Sequence, residues 1–325
     1  MKTLFVVSGG DAPGINTVMA YYTALATRYG HEVVGARDGF AGLVAGNLVP
    51  LTGDVIGPWA SMAGSYLPSS RVPVLRDAEG QRAMAGVLAQ HGIDNVILFG
   101  GNGTLRYIPP IIADMGIRCI GLPTTIDNDV PGTDLTLGFD SACNFAYHAI
   151  DGAMATGRAL PGRIFMVETL GGFSGMIALD VAFGAGAHAV LVPEYAYDDA
   201  WLGQRLLEAA HRDGYALLVL SEGVAASRTL FDDIFRWTNI RVRDIRLGHA
   251  QRGGTPTHRD RSLAAQMARL AFEGLNANVT RGTVVVRGGE TLLHEGPLEG
   301  PERLPDLDRY NFINGFEPGY EPARN

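Results

Sequence analysis

Cys119-Ile120-Gly121-Leu122-Pro123-Thr124-Thr125-Ile126-Asp127-Asn128-Asp129 is an apolar run that breaks, at a proline, into a short loop bearing two carboxylates and the hydroxyl of Thr125. The apolar part reads as a strand buried on both faces of a parallel sheet. If the loop stays extended, Asp127 and Asp129 project to the same side, so one can take a proton from a substrate hydroxyl while the other reaches a metal. That is a layout suited to phosphoryl transfer. A purely local turn is the competing reading, because Asp and Asn favour turns for reasons of their own. The surrounding sequence decides between them.

Three further segments repeat the pattern of strand followed by polar loop. Gly9-Gly10-Asp11-Ala12-Pro13-Gly14 follows Leu4-Phe5-Val6-Val7, Gly100-Gly101-Asn102-Gly103-Thr104 follows Val96-Ile97-Leu98-Phe99, and Gly248-His249-Ala250-Gln251-Arg252-Gly253-Gly254 follows residues 242–247. In the first two, missing side chains let backbone N–H groups approach a phosphate at a helix N-terminus. A tight β–α turn explains either one alone. Two of them at the carboxyl ends of parallel strands describe a nucleotide crevice. Other β-rich runs lie at 32–36, 164–167, 216–220 and 283–286, alternating with amphipathic stretches such as 15–28 and 174–183. This alternation predicts an α/β protein with mainly parallel sheets covered by helices. After Leu293 the periodicity fades, and a surface-wrapping tail is expected.

Length and composition narrow the function. With 325 residues, 46% of them apolar, the chain can bury more than one sizeable core. A net charge of −8 and a pI near 5.5 argue against nucleic acid as a main partner, while local arginine clusters can still serve a phosphorylated substrate. Cys119 and Cys143 offer neither a disulfide framework nor metal spacing and read as buried thiols. No apolar run approaches the ~18 residues a spanning helix needs, and 1–14 carries no signal-peptide pattern. A cytoplasmic protein without membrane partners is expected. Of the 26 basic residues only Lys2 is a lysine, which excludes a Walker-type loop, a Schiff base and a lysine base in the body of the chain. Any phosphate clamp must use arginine, histidine and backbone N–H groups.

Taken in order, the four segments resemble the 6-phosphofructokinase family, of the short bacterial ATP-dependent type, from about residue 4 to about 286. The resemblance implies two Rossmann-like domains with the active site in the cleft between them. It puts residues 1–137 with 252–300 in a nucleotide-binding domain and 138–251 with 301–325 in a sugar-phosphate domain. ATP and Mg²⁺ are the implied cofactors, and fructose 6-phosphate or a related ketose phosphate the acceptor. Asp127 would be the base, Thr125 would hydrogen-bond the incoming group, and Asp129 with Asn102 would attend the metal. Gly10, Gly101, Gly103 and Thr104 would meet the donor, with Arg71 across its β- and γ-phosphates and Arg76 and Arg82 nearby. Leu170, Gly171 and Glu222 would border the sugar. Arg163, Arg243, His249 and Arg252 would grip its 6-phosphate, the first two reaching from a neighbouring subunit. A homo-oligomer with shared sites, a tetramer by family precedent, is therefore expected.

Several positions depart from the family pattern. Pyrophosphate-dependent relatives typically carry an Asp at position 103 and a Lys at position 124, whereas Gly103 and Thr124 stand here, which favours ATP. Asn102 stands where an aspartate usually helps bind Mg²⁺. Leu170-Gly171-Gly172 replaces Met-Gly-Arg, so a guanidinium expected near the transferred phosphate is missing. Phe40 occupies a frequent tyrosine position. The basic residues of the family's effector site are absent, with Tyr21, Tyr22 and Thr23 in the first helix and Asp213-Gly214-Tyr215 farther on. Pyrophosphate or another sugar phosphate as substrate, or a weakly catalytic binding paralogue, stay open as alternatives. His148 and His188 lack metal-ligand spacing and read as structural.

Overall fold

The computed structural model describes residues 1–70, 74–225, 227–301 and 303–325. Strands among them are β1 (Lys2–Val7), β2 (Glu32–Ala36), β3 (Leu48–Pro50), β4 (Asn95–Gly100), β5 (Arg118–Pro123) and β6 (Arg163–Thr169). They continue with β7 (Ala189–Leu191), β8 (Tyr215–Ser221), β9 (Arg241–Arg246), β10 (Arg281–Arg287) and β11 (Glu290–Glu295). Helices are α1 (Ile15–Arg28), α2 (Gly39–Val44), α3 (Gly53–Ile56), α4 (Ala78–Gln90), α5 (Asn102–Asp114) and α6 (Phe139–Ala159). The later helices are α7 (Met176–Ala185), α8 (Asp199–Asp213), α9 (Leu230–Thr238), α10 (His258–Asn276) and α11 (Leu307–Asn314). The chain forms two compact, discontinuous units: Met1–Ser141 with Arg252–Glu302, and Ala142–Gln251 with Arg303–Asn325.

The first unit holds a seven-stranded sheet in the order β11-β10-β5-β4-β1-β2-β3. Its five inner strands are parallel, and the short β3 and the β11 hairpin arm are antiparallel edges. Alternation along β1 explains why both faces are covered. Leu4 and Val6 enter a core with Phe40 and Leu43 of α2, Met84 and Leu88 of α4 and Ile112 of α5. Phe5 points the other way, where its ring meets Tyr22 of α1 edge-on at 5.2 Å, and Tyr22 in turn meets Phe272 of α10 at 5.7 Å. Burial of this kind is worth about 1.5–3 kcal/mol per large apolar side chain, and it pushes the Tyr22 hydroxyl and the Cys119 thiol each up to about 12.

A parallel four-stranded sheet, β7-β8-β6-β9, organises the second unit. Ile164 and Met166 of β6 pack with Leu202 and Leu206 of α8 and Ile234 of α9, while α7 and α11 contact β7. The tail is therefore more than a surface wrap. Periodicity fades there because α11 is only 8 residues long, yet it buries Tyr310 completely and lies against α7. Strand β9 is an edge whose alternate residues Arg241 and Arg243 lie beside Arg163 and Phe165 of β6.

Candidate active site

Register explains why three distant loops meet. Val7 of β1 lies opposite Phe99 of β4, which lies opposite Leu122 of β5, so the strands run out level at their carboxyl ends. Between β1 and β4 the strand order reverses, which is where open α/β sheets form their ligand crevices. A cavity of about 260 Å³ opens there. It is lined by the predicted Gly10, Gly101, Asn102, Gly103, Thr104, Thr125, Asp127, Asp129 and Arg252, together with Ser8, Gly9 and Thr124.

Each loop has a local cause for its shape. Gly9 (φ +97°) and Gly14 (φ +102°) take the backbone through left-handed conformations, and Gly14 leads into α1 with no side-chain cap. Helix α5 likewise starts after Gly101 with no side-chain cap, so its first N–H groups are served by neither Ser nor Asp. Ser8 Oγ lies 3.0 Å from Thr104 Oγ1 and ties the end of β1 to the start of α5. Sequence reasoning passed over Ser8, although its place directly before Gly9-Gly10 was the available signal.

The acidic loop is not extended. Asn128 adopts φ +53°, and residues 126–127 form a turn, so the two-residue spacing does not by itself put Asp127 and Asp129 on one side. Both residues nevertheless line the cavity. Local polar chemistry overrides the strand continuation: Asp127 N–H donates to Thr125 Oγ1 (3.2 Å), and Thr136 N–H donates to Asn128 Oδ1 (2.9 Å). Thr136 Oγ1 also donates to the Thr125 carbonyl (2.6 Å). Just downstream, Asp260 of α10 accepts N–H bonds from Gly138 (2.9 Å) and Ser141 (2.8 Å) at the start of α6. Burial raises the Asp260 pKa in spite of these bonds.

Arg252 sits over the first glycine loop. Its Nη1 donates to the Asp11 carbonyl (3.2 Å), and its Nη2 lies 4.0 Å from Asp127 Oδ1. A Cβ on residue 10 would stand 2.6 Å from Arg252 Nη1, so any side chain there would make the guanidinium shift. Gly103, in contrast, faces open space with nothing within 4 Å of a would-be Cβ. Arg71 lies outside the described residues. Arg76 is exposed, and Arg82 bonds the Ala78 carbonyl of its own helix (3.1 Å).

The remaining expected residues belong to the second unit. Gly172 N–H donates to the exposed Glu222 carboxylate (3.0 Å), and Leu170 N–H donates to Gln251 Oε1 (2.8 Å). Gly171 has φ +148° in this turn. Arg163 is half-buried and donates to the Leu160 carbonyl (2.6 Å); His249 is exposed. Repulsion from Arg241, then desolvation, then Arg163 lower the proton affinity of Arg243. Such a gathering of guanidiniums suits a dianion. His188 is structural, as expected: its Nδ1 accepts from Leu217 N–H (2.9 Å) and its Nε2 meets Asp213 (3.0 Å). The Asp213-Gly214-Tyr215 segment is the end of α8, a left-handed Gly214 cap and the start of β8.

No three His, Cys, Asp or Glu residues among those described cluster as a metal cage. Mg²⁺ does not require one, since it is commonly held by one or two carboxylates together with substrate phosphates. Asp129 and Asn102, which line one cavity with the two glycine turns, fit that donor set.

A parallel sheet whose switch point gathers two glycine turns, a carboxylate loop and an arginine is the architecture of α/β proteins that handle phosphorylated nucleotides. Within that class, the phosphofructokinase family model matches residues 2–275, and the chain belongs to the phosphofructokinase family. The ATP-dependent 6-phosphofructokinase of Lactobacillus delbrueckii subsp. bulgaricus is 38% identical over 91% of this chain and 92% of that one. That of Aquifex aeolicus is 34% identical over 95% and 97%. Among solved structures, phosphofructokinase from Saccharomyces cerevisiae superposes with a TM-score of 0.81 at 24% identity, over 91% of this chain. The match spans 44% of the yeast chain, less than half its length. The pyrophosphate-dependent phosphofructokinase from Marinobacter aquaeolei gives a TM-score of 0.83 at 21% identity, over 97% of this chain and 88% of that one. Both structures share the fold. Among the described residues no helix is long and apolar enough to cross a membrane.

Proposed function

We propose that the protein transfers the terminal phosphoryl group of ATP to fructose 6-phosphate, giving fructose 1,6-bisphosphate and ADP. The observation that carries this reading is the single cavity in which Asp127 and Arg252 face both glycine turns. The acceptor hydroxyl gives its proton to the Asp127 carboxylate as its oxygen bonds the phosphorus. The bond from that phosphorus to the bridging oxygen of the leaving ADP breaks. Gly10, Gly101, Gly103 and Thr104 offer backbone N–H groups and a hydroxyl to the donor phosphates, and Arg71 and Arg76 are the guanidinium candidates for the same phosphates. Thr125 orients the incoming group. Asp129 and Asn102 would hold Mg²⁺, which supplies neutralisation of the polyphosphate charge when bound.

Arg252 takes on more in this reading than a grip on the distant 6-phosphate. It packs on Gly10 within 4.0 Å of Asp127, so its guanidinium can offset charge developing on the transferred group. That would compensate for the arginine missing at Gly172. Leu170, Gly171 and Glu222 border the sugar, while Arg163, Arg243 and His249 hold its phosphate. With Arg163 and Arg243 contributed by a neighbouring copy, the working form is a homo-oligomer, a tetramer by family precedent, acting in the cytoplasm. A coupled assay of the purified protein with fructose 6-phosphate and either ATP or pyrophosphate tests the reading. A higher kcat/KM with ATP supports it, and a preference for pyrophosphate, or activity only with another ketose phosphate, overturns it.

A further inference from the structure

We infer that the first unit carries a second ligand site, on the flank of α5 away from α4, built for a small phosphomonoester that also bears hydroxyl or amino donors. A cavity of about 640 Å³ lies there, more than twice the volume of the one at the glycine turns and within the usual range for small-molecule sites. Its walls include Arg106 and Tyr107 of α5, Arg281 and Thr283 of β10, and Glu299 from the segment after β11. Arg281 and Thr283 are two apart on one strand and so share a face.

Two features point to a ligand. First, neither Arg106 nor Arg281 has a carboxylate within ion-pairing reach among the described residues; the Arg106 guanidinium instead meets the ring of Tyr107, 5.5 Å away. Two uncompensated guanidiniums against the single acid Glu299 leave the cavity net positive, in a chain whose overall charge is −8. Guanidiniums of this kind suit a phosphate bidentately. Second, Pro109 and Pro110 lie inside α5. Having no N–H, they cannot donate to the carbonyls of Leu105 and Arg106 one turn earlier, and all four residues line the cavity. The Glu299 carboxylate and the Thr283 hydroxyl add acceptors to the same wall. Phosphate and hydroxyl or amino groups together describe a nucleoside monophosphate or a sugar phosphate.

Asn102 lines this cavity and the one at the glycine turns. A ligand here therefore lies next to the first turn of the helix whose N-terminus faces the donor, and any effect of its binding on donor affinity is matched by an equal effect of the donor on its own affinity. The binding does not depend on the proposed reaction; only its effect on ATP does.

Isothermal titration with AMP, fructose 1-phosphate and inorganic phosphate, in the presence of a saturating non-hydrolysable ATP analogue, tests the site. The expected result is a binding event that persists under the analogue and weakens at least tenfold in Arg281→Gln and in Arg106→Gln. The second of these lies on an exposed helix face, where loss of folding is not at issue. AMP or fructose 1-phosphate as the tighter ligand tells nucleotide from sugar phosphate. No binding under the analogue, binding of inorganic phosphate as tight as that of either ester, or binding indifferent to both substitutions overturns the proposal. If binding depends on both arginines while the protein shows no ATP-dependent activity, the site stands and the proposed reaction falls.

Discussion

Asp127 and Gly103 are the residues whose chemistry is most exposed to a direct test. Because proton removal and hydroxyl alignment are lost together, Asp127→Ser should lower kcat by several orders of magnitude while changing the acceptor KM far less. Retention of more than about a tenth of wild-type turnover would remove Asp127 from the role of base. At Gly103 the space is open, so an aspartate fits without a steric clash and its effect is electrostatic. Gly103→Asp should reduce kcat/KM for ATP by roughly tenfold or more through repulsion of the donor phosphates, and steady-state kinetics with ATP as the varied substrate measures it. His188 offers a pH test. Burial, acting first, lowers its pKa from the ordinary 6.5, although Asp213 opposes the shift. The unfolded chain then binds the proton more readily, so folding stability should fall as pH drops below 6.5 toward the depressed value. Denaturant unfolding between those limits should show the slope, and His188→Gln should flatten it.

At the level of elements, the start of α6 lies just downstream of the acidic loop. Asp260 of α10 serves two backbone N–H groups and a hydroxyl there, capping that helix from outside its own sequence. Asp260→Ala leaves those donors buried without an acceptor, at a cost on the order of 3 kcal/mol. Thermal unfolding should show a drop of several degrees, and an unchanged midpoint would mean that water replaces the carboxylate without penalty. Helices α1 and α5 both begin without a side-chain cap at the carboxyl ends of neighbouring strands. Their positions follow from strand register, and register follows from which apolar residues must be buried.

The whole molecule enters through the acceptor clamp. If Arg163 and Arg243 act in a neighbouring copy's site, Arg243→Ala and Arg252→Ala should each raise the sugar-phosphate KM about tenfold or more, Arg252→Ala lowering kcat as well, while the ATP KM stays near wild type. Loss of one charge-assisted phosphate contact costs roughly 1.5–3 kcal/mol. Mixing and re-equilibrating the two impaired variants should restore activity, since some hybrid sites pair an intact Arg243 with an intact Arg252. No recovery, or a wild-type protein active as a monomer in sedimentation, would leave only a single-chain clamp.

Much of this was legible in the sequence, for a definite reason. The apolar runs at 4–7, 96–99 and 119–122, alternating with amphipathic stretches, predicted the α/β class, whereas the residues of the first-unit cavity were expected from the family resemblance of the loops that follow those runs. Short or polar elements were not legible: β3 and β7 have 3 residues each, and α11 has 8, too few for periodicity to register. The geometry of the acidic loop also escaped, because Asn128 turns left-handed to bond Thr136, a partner eight residues away that no two-residue pattern reveals. Tertiary structure alone decided that Arg252 rests on Gly10 beside Asp127. Residues 10 and 252 are brought together by the return of the chain through α10 and β10, and a long-range contact of that kind leaves no trace in the spacing of either residue's neighbours. Sequence patterns determine which surfaces must be buried; only the closed fold determines which charges then face each other.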